Sequence, residues 1–272
     1  MHGFAAVVLD FDGLILDTES SALHVWSEVY REHGHELDLG LWQRGVGTHG
    51  GFDAWRHLEG LTGGALDRAA LGPAIHERHL QMCKAQPLLP GVRRLLEDAA
   101  ALGLRAAVAS SSSRGWVEGW LGRHGIRSLL ASVCGRDDVV SVKPAPDLYL
   151  KAAERLGVVP AVCVAFEDSP NGVRAARAAG MACVAVPNGV TRGFTFPETD
   201  LTVESLAELR LPELLEILGR PAQRGVTSSR RAVRPEANPD LEGAAPGGPS
   251  ASGGGADGVA PAGPSAPVEG RP

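Results

Sequence analysis

The chain has 272 residues, of which 44% are hydrophobic, and it can therefore bury one sizeable core, or a core together with a small accessory domain. Its formal net charge of -6 lacks the excess of Lys and Arg that binding to a phosphate backbone requires, so we expect no nucleic-acid partner. No apolar run approaches the roughly 18 residues that cross a bilayer, and the N-terminus does not resemble a signal peptide, so we expect no membrane association.

The four cysteines are not arranged in the C-x-x-C spacing that is typical of metal and redox sites: Cys83, Cys134, Cys163 and Cys183. Two of them lie in apolar runs that are typical of strands. We therefore predict reduced core cysteines and a cytoplasmic protein. The sequence carries no direct sign of oligomeric state, and we expect a monomer.

Four short apolar runs predict strands that are buried on both faces of a sheet: residues 4–9, 104–109, 161–166 and 181–186. Residues 92–101 and 171–179 have helical periodicity, and a glycine follows each of them closely. This alternation of strand and helix predicts an α/β fold with a doubly wound, Rossmann-like and mostly parallel sheet.

One long segment and one tail depart from this alternation. The first two predicted strands are separated by about ninety residues, far more than a strand-to-helix connection requires. This segment contains helical runs at residues 20–33 and 67–83, so we interpret residues 17–88 as an α-helical cap domain inserted into a core of residues 1–16 and 89–219. Pro, Gly, Ala and Ser dominate residues 220–272, which we predict to be a disordered C-terminal tail.

Polar side chains follow the ends of the first three predicted strands and precede one helix. These candidates are Asp10 and Asp12, Ser110 and Ser111, Glu167 and Asp168, and Lys143. Because ligands bind outside the carboxyl ends of parallel strands, we expect these side chains to lie around one crevice.

The carboxylates in this set indicate phosphoryl transfer. The Asp10 carboxylate can attack phosphorus and form an aspartyl-phosphate, but two anions approach each other only if a metal ion is present. Mg²⁺ prefers oxygen ligands from one or two carboxylates together with phosphate and water. Asp168, with Glu167, supplies a second anchoring point for Mg²⁺ from a distant strand.

The remaining candidates bind phosphate or move protons. The Ser110 hydroxyl, followed by Ser111, can donate to a phosphoryl oxygen, and Lys143 supplies a compact positive charge. Asp12 lies two residues after the nucleophile and can protonate the leaving oxygen before it activates water.

These motifs resemble those of the haloacid dehalogenase superfamily. Residues 10–19 (DFDGLILDTE) are similar to its first motif, Ser110 to its second, Lys143 to its third and residues 167–172 (EDSPNG) to its fourth. The likeness extends over residues 4–218, and it is closest to the branch of phosphatases and β-phosphoglucomutases that carry a helical cap.

The resemblance implies a role for each matching residue. Asp10 is the expected nucleophile and Asp12 the expected acid and base. Asp10, the backbone carbonyl of Asp12, Glu167 and Asp168 are the expected Mg²⁺ ligands. The expected enzyme is a Mg²⁺-dependent phosphatase that hydrolyses a small phosphorylated metabolite, and Asp12 argues against a dehalogenase, since those relatives lack it.

Two departures disfavour a mutase. β-Phosphoglucomutases carry a histidine where this chain has Ala22, and a cap arginine just after a Gly-Val pair, whereas residues 44–49 read RGVGTH. A sugar-phosphate mutase nevertheless stays an alternative. An alternative of another class is a non-catalytic binding or regulatory protein with the same fold.

The remaining cap candidates concern specificity or packing. Substrate specificity is assigned to Thr18, Glu19, Arg44, Thr48 and His49. The alternative for Arg44, Thr48 and His49 is that they serve only to stabilise the loop in which they lie. The five tryptophans are predicted to pack on amphipathic helices: Trp26, Trp42, Trp55, Trp116 and Trp120. His76, His79 and Cys83 occur at helical spacing, and we interpret them as an exposed helix face rather than a zinc site.

Overall fold

The structure is a computed structural model, and it describes residues 3–47, 51–208 and 210–219. The tail predicted for residues 220–272 lies outside the described residues. The strands are β1 (Ala6–Leu9), β2 (Arg105–Ala109), β3 (Ser132–Cys134), β4 (Cys163–Glu167), β5 (Ala182–Ala185) and β6 (Leu201–Thr202). The helices are α1 (Thr18–Glu32), α2 (Leu39–Gln43), α3 (Ala54–Thr62), α4 (Arg68–Ala85), α5 (Val92–Ala101), α6 (Arg114–Arg123), α7 (Asp147–Leu156), α8 (Pro170–Ala178) and α9 (Leu211–Gly219).

The six strands form one sheet in the order β3-β2-β1-β4-β5-β6, and each neighbouring pair is parallel. This is the order of a doubly wound sheet, in which the direction of winding reverses between β1 and β4. Leu9 pairs with Val108 on one side and with Phe166 on the other, so β1, β2 and β4 end almost level. The predicted α/β fold with a Rossmann-like parallel sheet is confirmed.

The sheet is buried on both faces, as the continuous apolar runs predicted. Val7 and Leu9 belong to a hydrophobic cluster that includes residues of α5, α6 and α9. Ala6 and Val8 point to the opposite face, where the cluster includes residues of α7 and α8. This alternation along one strand places helices on both faces of the sheet.

Four helices, α1 to α4, lie between β1 and α5. Aspartates cap all four of them by accepting a hydrogen bond from a backbone N–H in the first turn: Asp17, Asp38, Asp53 and Asp67. The helices share a hydrophobic cluster of their own, which contains Val29, Tyr30 and Leu58. Their presence agrees with the helical periodicity of the sequence, and their separation as a cap domain stays a prediction.

The four cysteines are all buried and reduced. Burial raises the pKa of the Cys83 thiol to about 12 and that of Cys163 to about 11, and it also raises the pKa of Cys134 and Cys183. Within the described part of the chain, every helix is too short or too polar to span a membrane.

Candidate active site

Three carboxylates meet at the carboxyl ends of β1 and β4, which are neighbours in the sheet. Asp10 directly follows β1, Glu167 is the last residue of β4 and Asp168 comes next. One oxygen from each side chain lies within 4.8 Å of the others, and all three residues are buried. The structure therefore brings together the acidic residues that the sequence placed at strand ends.

Lys143 is buried against this carboxylate cluster. Its Nζ donates to Glu167 Oε1 at 2.6 Å and also to Asp10 Oδ1. Burial alone would lower the pKa of Lys143, but the charges of Asp10 and Glu167 outweigh burial and raise it. Burial raises the pKa of Asp10 to about 7, even though Lys143 opposes that rise. The lysine is thus a charged ammonium, and it balances only part of the negative charge around it.

The cluster fits a divalent cation. Burial, followed by the charges of Asp10 and Glu167, raises the pKa of Asp168 well above its usual range. Among the residues that the structure describes, Asp168 Oδ1 is buried and has no hydrogen-bond partner, which is rare for a carboxylate oxygen in a protein interior. An unpartnered oxygen beside two further carboxylates can hold a divalent cation, because hard cations take oxygen ligands.

The Glu167 carboxylate is held from several sides. Its Oε1 accepts hydrogen bonds from Lys143 and from the Tyr149 hydroxyl, both at 2.6 Å. Its Oε2 accepts from the backbone N–H groups of Asp168 and Ser169 and from the Ser169 hydroxyl. Tyr149 was not predicted, and no sequence signal separates it from the other apolar positions of α7. These donors fix the orientation of Glu167.

Asn188 orients Asp168. Its Nδ2 donates to Asp168 Oδ2 at 2.6 Å and to the Gly13 carbonyl at 3.1 Å, while its Oδ1 accepts from the backbone N–H of Val190. Gly13 has a φ of +83°, and a Cβ there would lie 2.3 Å from Asp168 Oδ2, so only glycine fits. Asn188 was not predicted, although it follows the fourth predicted strand and its position at a strand end is typical of a ligand-binding residue.

Asp12 accepts hydrogen bonds on both carboxylate oxygens. Oδ1 accepts from Thr18 Oγ1 at 2.8 Å and from Trp116 Nε1 at 3.2 Å, and Oδ2 accepts from Ser110 Oγ at 3.0 Å. The structure thus places Ser110 beside the acid, and its phosphate-binding role stays a prediction. Trp116 does pack against the core, as predicted, but it also donates to a candidate catalytic residue.

A cavity of about 200 Å³ opens at this site. Asp10 and Asp12 line it together with Thr18, Glu19 and Ser111. Burial, then the charges of Asp12 and Asp10, raise the pKa of Glu19 to about 8. The volume is below the 300–1,000 Å³ of typical drug-sized pockets, which indicates a small ligand.

The residues predicted to set substrate specificity differ in their position relative to the cavity. Thr18 and Glu19 line the cavity, whereas Arg44 is exposed at the end of α2 and does not line it. Thr48 and His49 lie outside the described residues, so their assignment stays a prediction.

The prediction of an exposed face was wrong for His79 and Cys83, and the burial of Cys83 agrees instead with the prediction of core cysteines. Cys83 is fully buried, and His79 is partly buried and lines the cavity. Burial lowers the pKa of His79, which favours the neutral ring. Its Nε2 lies 3.2 Å from the Thr18 carbonyl and donates to it, because a carbonyl can only accept. Helical spacing alone did not reveal that α4 turns this face towards the site.

The chain is similar to several known proteins in sequence and in fold. Residues 4–180 match the family model of haloacid dehalogenase-like hydrolases. The Bacillus subtilis (strain 168) protein named "Putative phosphatase YhcW" is 44% identical over 213 residues, which span 78% of this chain and 97% of that protein. The fructose-1-phosphate phosphatase YqaB of Escherichia coli (strain K12) is 36% identical over 67% of this chain and 96% of its own length. The crystal structure of CbbY from Rhodobacter sphaeroides in complex with phosphate is similar, with a TM-score of 0.63 and 31% identity over 76% of this chain and 96% of that one.

Proposed function

Since the chain belongs to the haloacid dehalogenase-like hydrolase family, we propose that it is a Mg²⁺-dependent phosphatase that acts through an aspartyl-phosphate on Asp10. Its family and its relatives make it a phosphoric monoester hydrolase. The observation that carries the finer proposal is the Asp10 carboxylate beside the charged Lys143 and the unpartnered Oδ1 of Asp168.

We propose that Asp10, Glu167, Asp168 and the Asp12 backbone carbonyl hold Mg²⁺. When bound, Mg²⁺ supplies positive charge that lets the phosphoryl group approach the Asp10 carboxylate. Lys143 already bridges Asp10 and Glu167, so it holds the nucleophile in place as well as adding positive charge.

The reaction then needs one nucleophile and one proton carrier. Asp10 forms a bond to phosphorus as the bond to the leaving oxygen breaks, and Asp12 gives that oxygen a proton. The Ser110 and Ser111 hydroxyls donate to phosphoryl oxygens. In the second step Asp12 takes a proton from water, which attacks phosphorus, releases inorganic phosphate and restores Asp10.

The proposed substrate is a small phosphorylated metabolite. The cavity of about 200 Å³ supports a small ligand, and the similarity to a fructose-1-phosphate phosphatase supports the class of sugar phosphates.

Ala22 lines the cavity at the position where the mutases carry histidine, so hydrolysis is favoured over a mutase reaction. A panel of phosphorylated metabolites, assayed for released phosphate, identifies the substrate. Conversion of a sugar phosphate to its isomer without phosphate release would instead indicate a mutase.

Replacing the nucleophile tests the mechanism. We expect Asp10→Asn to lower the hydrolysis of 4-nitrophenyl phosphate by roughly 10³-fold or more, because the amide cannot accept the phosphoryl group. Chelation should remove the activity of the wild type, and added Mg²⁺ should restore it. Asp67→Asn is the matched control, since asparagine caps α4 as well as aspartate does. Substantial hydrolysis by Asp10→Asn, or indifference to chelation, would contradict the proposal.

We also propose a cytoplasmic location for the protein. Four buried, reduced cysteines support a cytoplasmic protein. A monomer and a disordered tail stay predictions, which size-exclusion chromatography coupled to light scattering can check for the full chain and for a variant that ends at residue 219.

A further inference from the structure

We infer that Trp116 is a positioning residue that anchors Asp12 Oδ1, so that Oδ2 is the atom that exchanges the proton with the leaving oxygen. The inference rests on the proposed function, in which Asp12 is the acid and base. The sequence predicted only a packing role for the Trp116 indole.

The hydrogen bonds to Asp12 divide its two oxygens. Oδ1 accepts from the Thr18 hydroxyl at 2.8 Å and from the Trp116 indole N–H at 3.2 Å. Oδ2 accepts only the Ser110 hydroxyl among the hydrogen bonds of the described residues, at 3.0 Å. When Ser110 donates to a phosphoryl oxygen instead, as proposed, Oδ2 is released while Oδ1 stays held.

Trp116 is itself held by a residue from another helix. The ring of His79, on α4, stacks on the indole with centroids 5.7 Å apart and an angle of 24° between the planes. The same histidine donates to the carbonyl of Thr18 at 3.2 Å. Asp12, Trp116, His79 and Thr18 therefore form a closed ring of contacts that fixes the rotation of the Asp12 carboxylate.

The simpler explanation is that a half-buried indole N–H needs any acceptor, and that Asp12 is the nearest. The two explanations predict different effects when the N–H is lost. If Trp116 only packs, its loss reduces stability and affects all substrates equally. If it aims Asp12, its loss affects substrates in proportion to their need for protonation of the leaving oxygen.

The test is therefore a series of phosphate monoesters with leaving groups of different basicity. An alkyl phosphate releases a basic alkoxide and depends on the acid, whereas 4-nitrophenyl phosphate releases a stable anion that depends on it little. The value of kcat/KM reports the steps up to transfer of the phosphoryl group, so the second step does not enter.

We expect Trp116→Phe to lower kcat/KM for the alkyl phosphate by about 10-fold and for 4-nitrophenyl phosphate by less than about 3-fold. Most of the loss should be in kcat rather than KM. Trp120→Phe is the matched control: it removes a second indole from α6 that lies 5.4 Å from Trp116 between ring centroids. We expect it to leave the dependence on leaving group unchanged.

A second variant separates shape from hydrogen bonding. Replacement of Trp116 by the non-natural residue benzothienylalanine keeps the bicyclic ring and removes only the donor, so it keeps the stacking on His79. We expect the same selective loss from this variant. An equal loss for both classes of ester, or no loss in a folded benzothienylalanine variant, would overturn the inference.

The Asp10→Asn and Trp116 variants distinguish the role of Trp116 from the phosphatase mechanism. If Asp10→Asn retains activity, the mechanism itself is wrong, whatever Trp116 does. If Asp10→Asn is inactive and the Trp116 variants lose the same share of kcat/KM for both esters, only the role of Trp116 is refuted.

Discussion

Asn188 connects two parts of the site that are distant in sequence. It donates to Asp168 Oδ2 at 2.6 Å and to the Gly13 carbonyl, which lies in the turn after β1. Because Asn188 occupies Oδ2, the unpartnered Oδ1 is the oxygen of Asp168 that is available for a cation. Groups that orient metal ligands in this way tune the affinity of the site.

Asn188→Ala should weaken the binding of divalent cation by about 10- to 100-fold, because Asp168 loses the donor that orients it. The measurement is the Mg²⁺ concentration that gives half-maximal activity, with direct titration by Mn²⁺ as a second readout. Asn171→Ala is a suitable control, since the Asn171 side chain donates to the Val46 carbonyl at 2.9 Å and not to a carboxylate of the cluster. Unchanged cation affinity in Asn188→Ala would show that Asp168 is oriented without this amide.

The residues that the sequence identified share one property, which is their position at the carboxyl end of a strand or at a helix start. Asp10, Glu167 and Asp168 were predicted to meet because parallel strands end at one edge. Trp116 and His79 were missed for a physical reason: their contacts depend on how α4 and α6 are oriented, and helical periodicity does not contain that information. The sequence instead predicted packing for Trp116 and an exposed helix face for His79.

At the scale of secondary structure, a carboxylate joins α5 to the start of α9. Asp98 Oδ2 accepts from Arg210 Nε at 2.9 Å and from the backbone N–H of Leu211 at 3.3 Å. The hydrogen bond from Arg210 is the main cause that lowers the pKa of Asp98 in the folded protein. Arg210 is about half exposed, so solvent screening limits the contribution of the pair.

Asp98→Asn should lower the thermal midpoint near pH 7 by about 2–4 °C, the shift that corresponds to ~1 kcal/mol in a domain of this size. A lowered folded-state pKa means that the unfolded chain binds more protons near pH 4. The stabilisation is therefore present above the unfolded pKa and is lost as the pH falls through the folded pKa. The difference between variant and wild type should shrink below about pH 4.

Thermal melts at several pH values check this expectation. Glu97→Gln removes a neighbouring carboxylate that is exposed on the same helix, and it should leave the midpoint nearly unchanged. A difference between Asp98→Asn and the wild type that persists undiminished at pH 3 would contradict the assigned cause.

Elements with a clear apolar run or a clear helical period were predictable, whereas α6, α7 and α9 were given no range. Residues 92–101 were predicted as a helix and coincide with α5, and the four predicted strands correspond to β1, β2, β4 and β5 with slightly different ends. The strands β3 and β6 were missed because they contain three and two residues, too few for a period to appear. Their formation depends on pairing with β2 and β5, which is a property of the assembled sheet.

At the scale of the whole molecule, activity should depend on how closely the segment predicted as a cap approaches the sheet. Gly47 has a φ of +77°, and a Cβ there would lie 2.1 Å from Ser169 Oγ. Ser169 cannot easily move away, because its hydroxyl donates to Glu167 and accepts from the backbone N–H of Gly172.

Gly47→Ala should therefore push the loop away from the site and lower kcat/KM by about 10-fold or more, since small misplacements near reacting groups have large effects on rate. Gly63→Ala is the matched control: Gly63 also has a positive φ, of +72°, but no atom of the described residues lies within 4 Å of its added Cβ. Both variants bear backbone strain and should lower the thermal midpoint, Gly47→Ala by more because its Cβ also meets Ser169, while only Gly47→Ala loses activity. Equal activity in the two variants would indicate that close approach at Gly47 is dispensable.

Because all four thiols are buried, their reactivity can report local unfolding of the protein. Only a thiolate reacts rapidly with an alkylating reagent, and these sulfur atoms are both shielded and held protonated. Modification must then wait for a fluctuation that admits the reagent, so the reaction rate of each thiol measures how often its surroundings open. Cys134 on β3 and Cys163 on β4 would compare the edge of the sheet with its centre, without any attached probe.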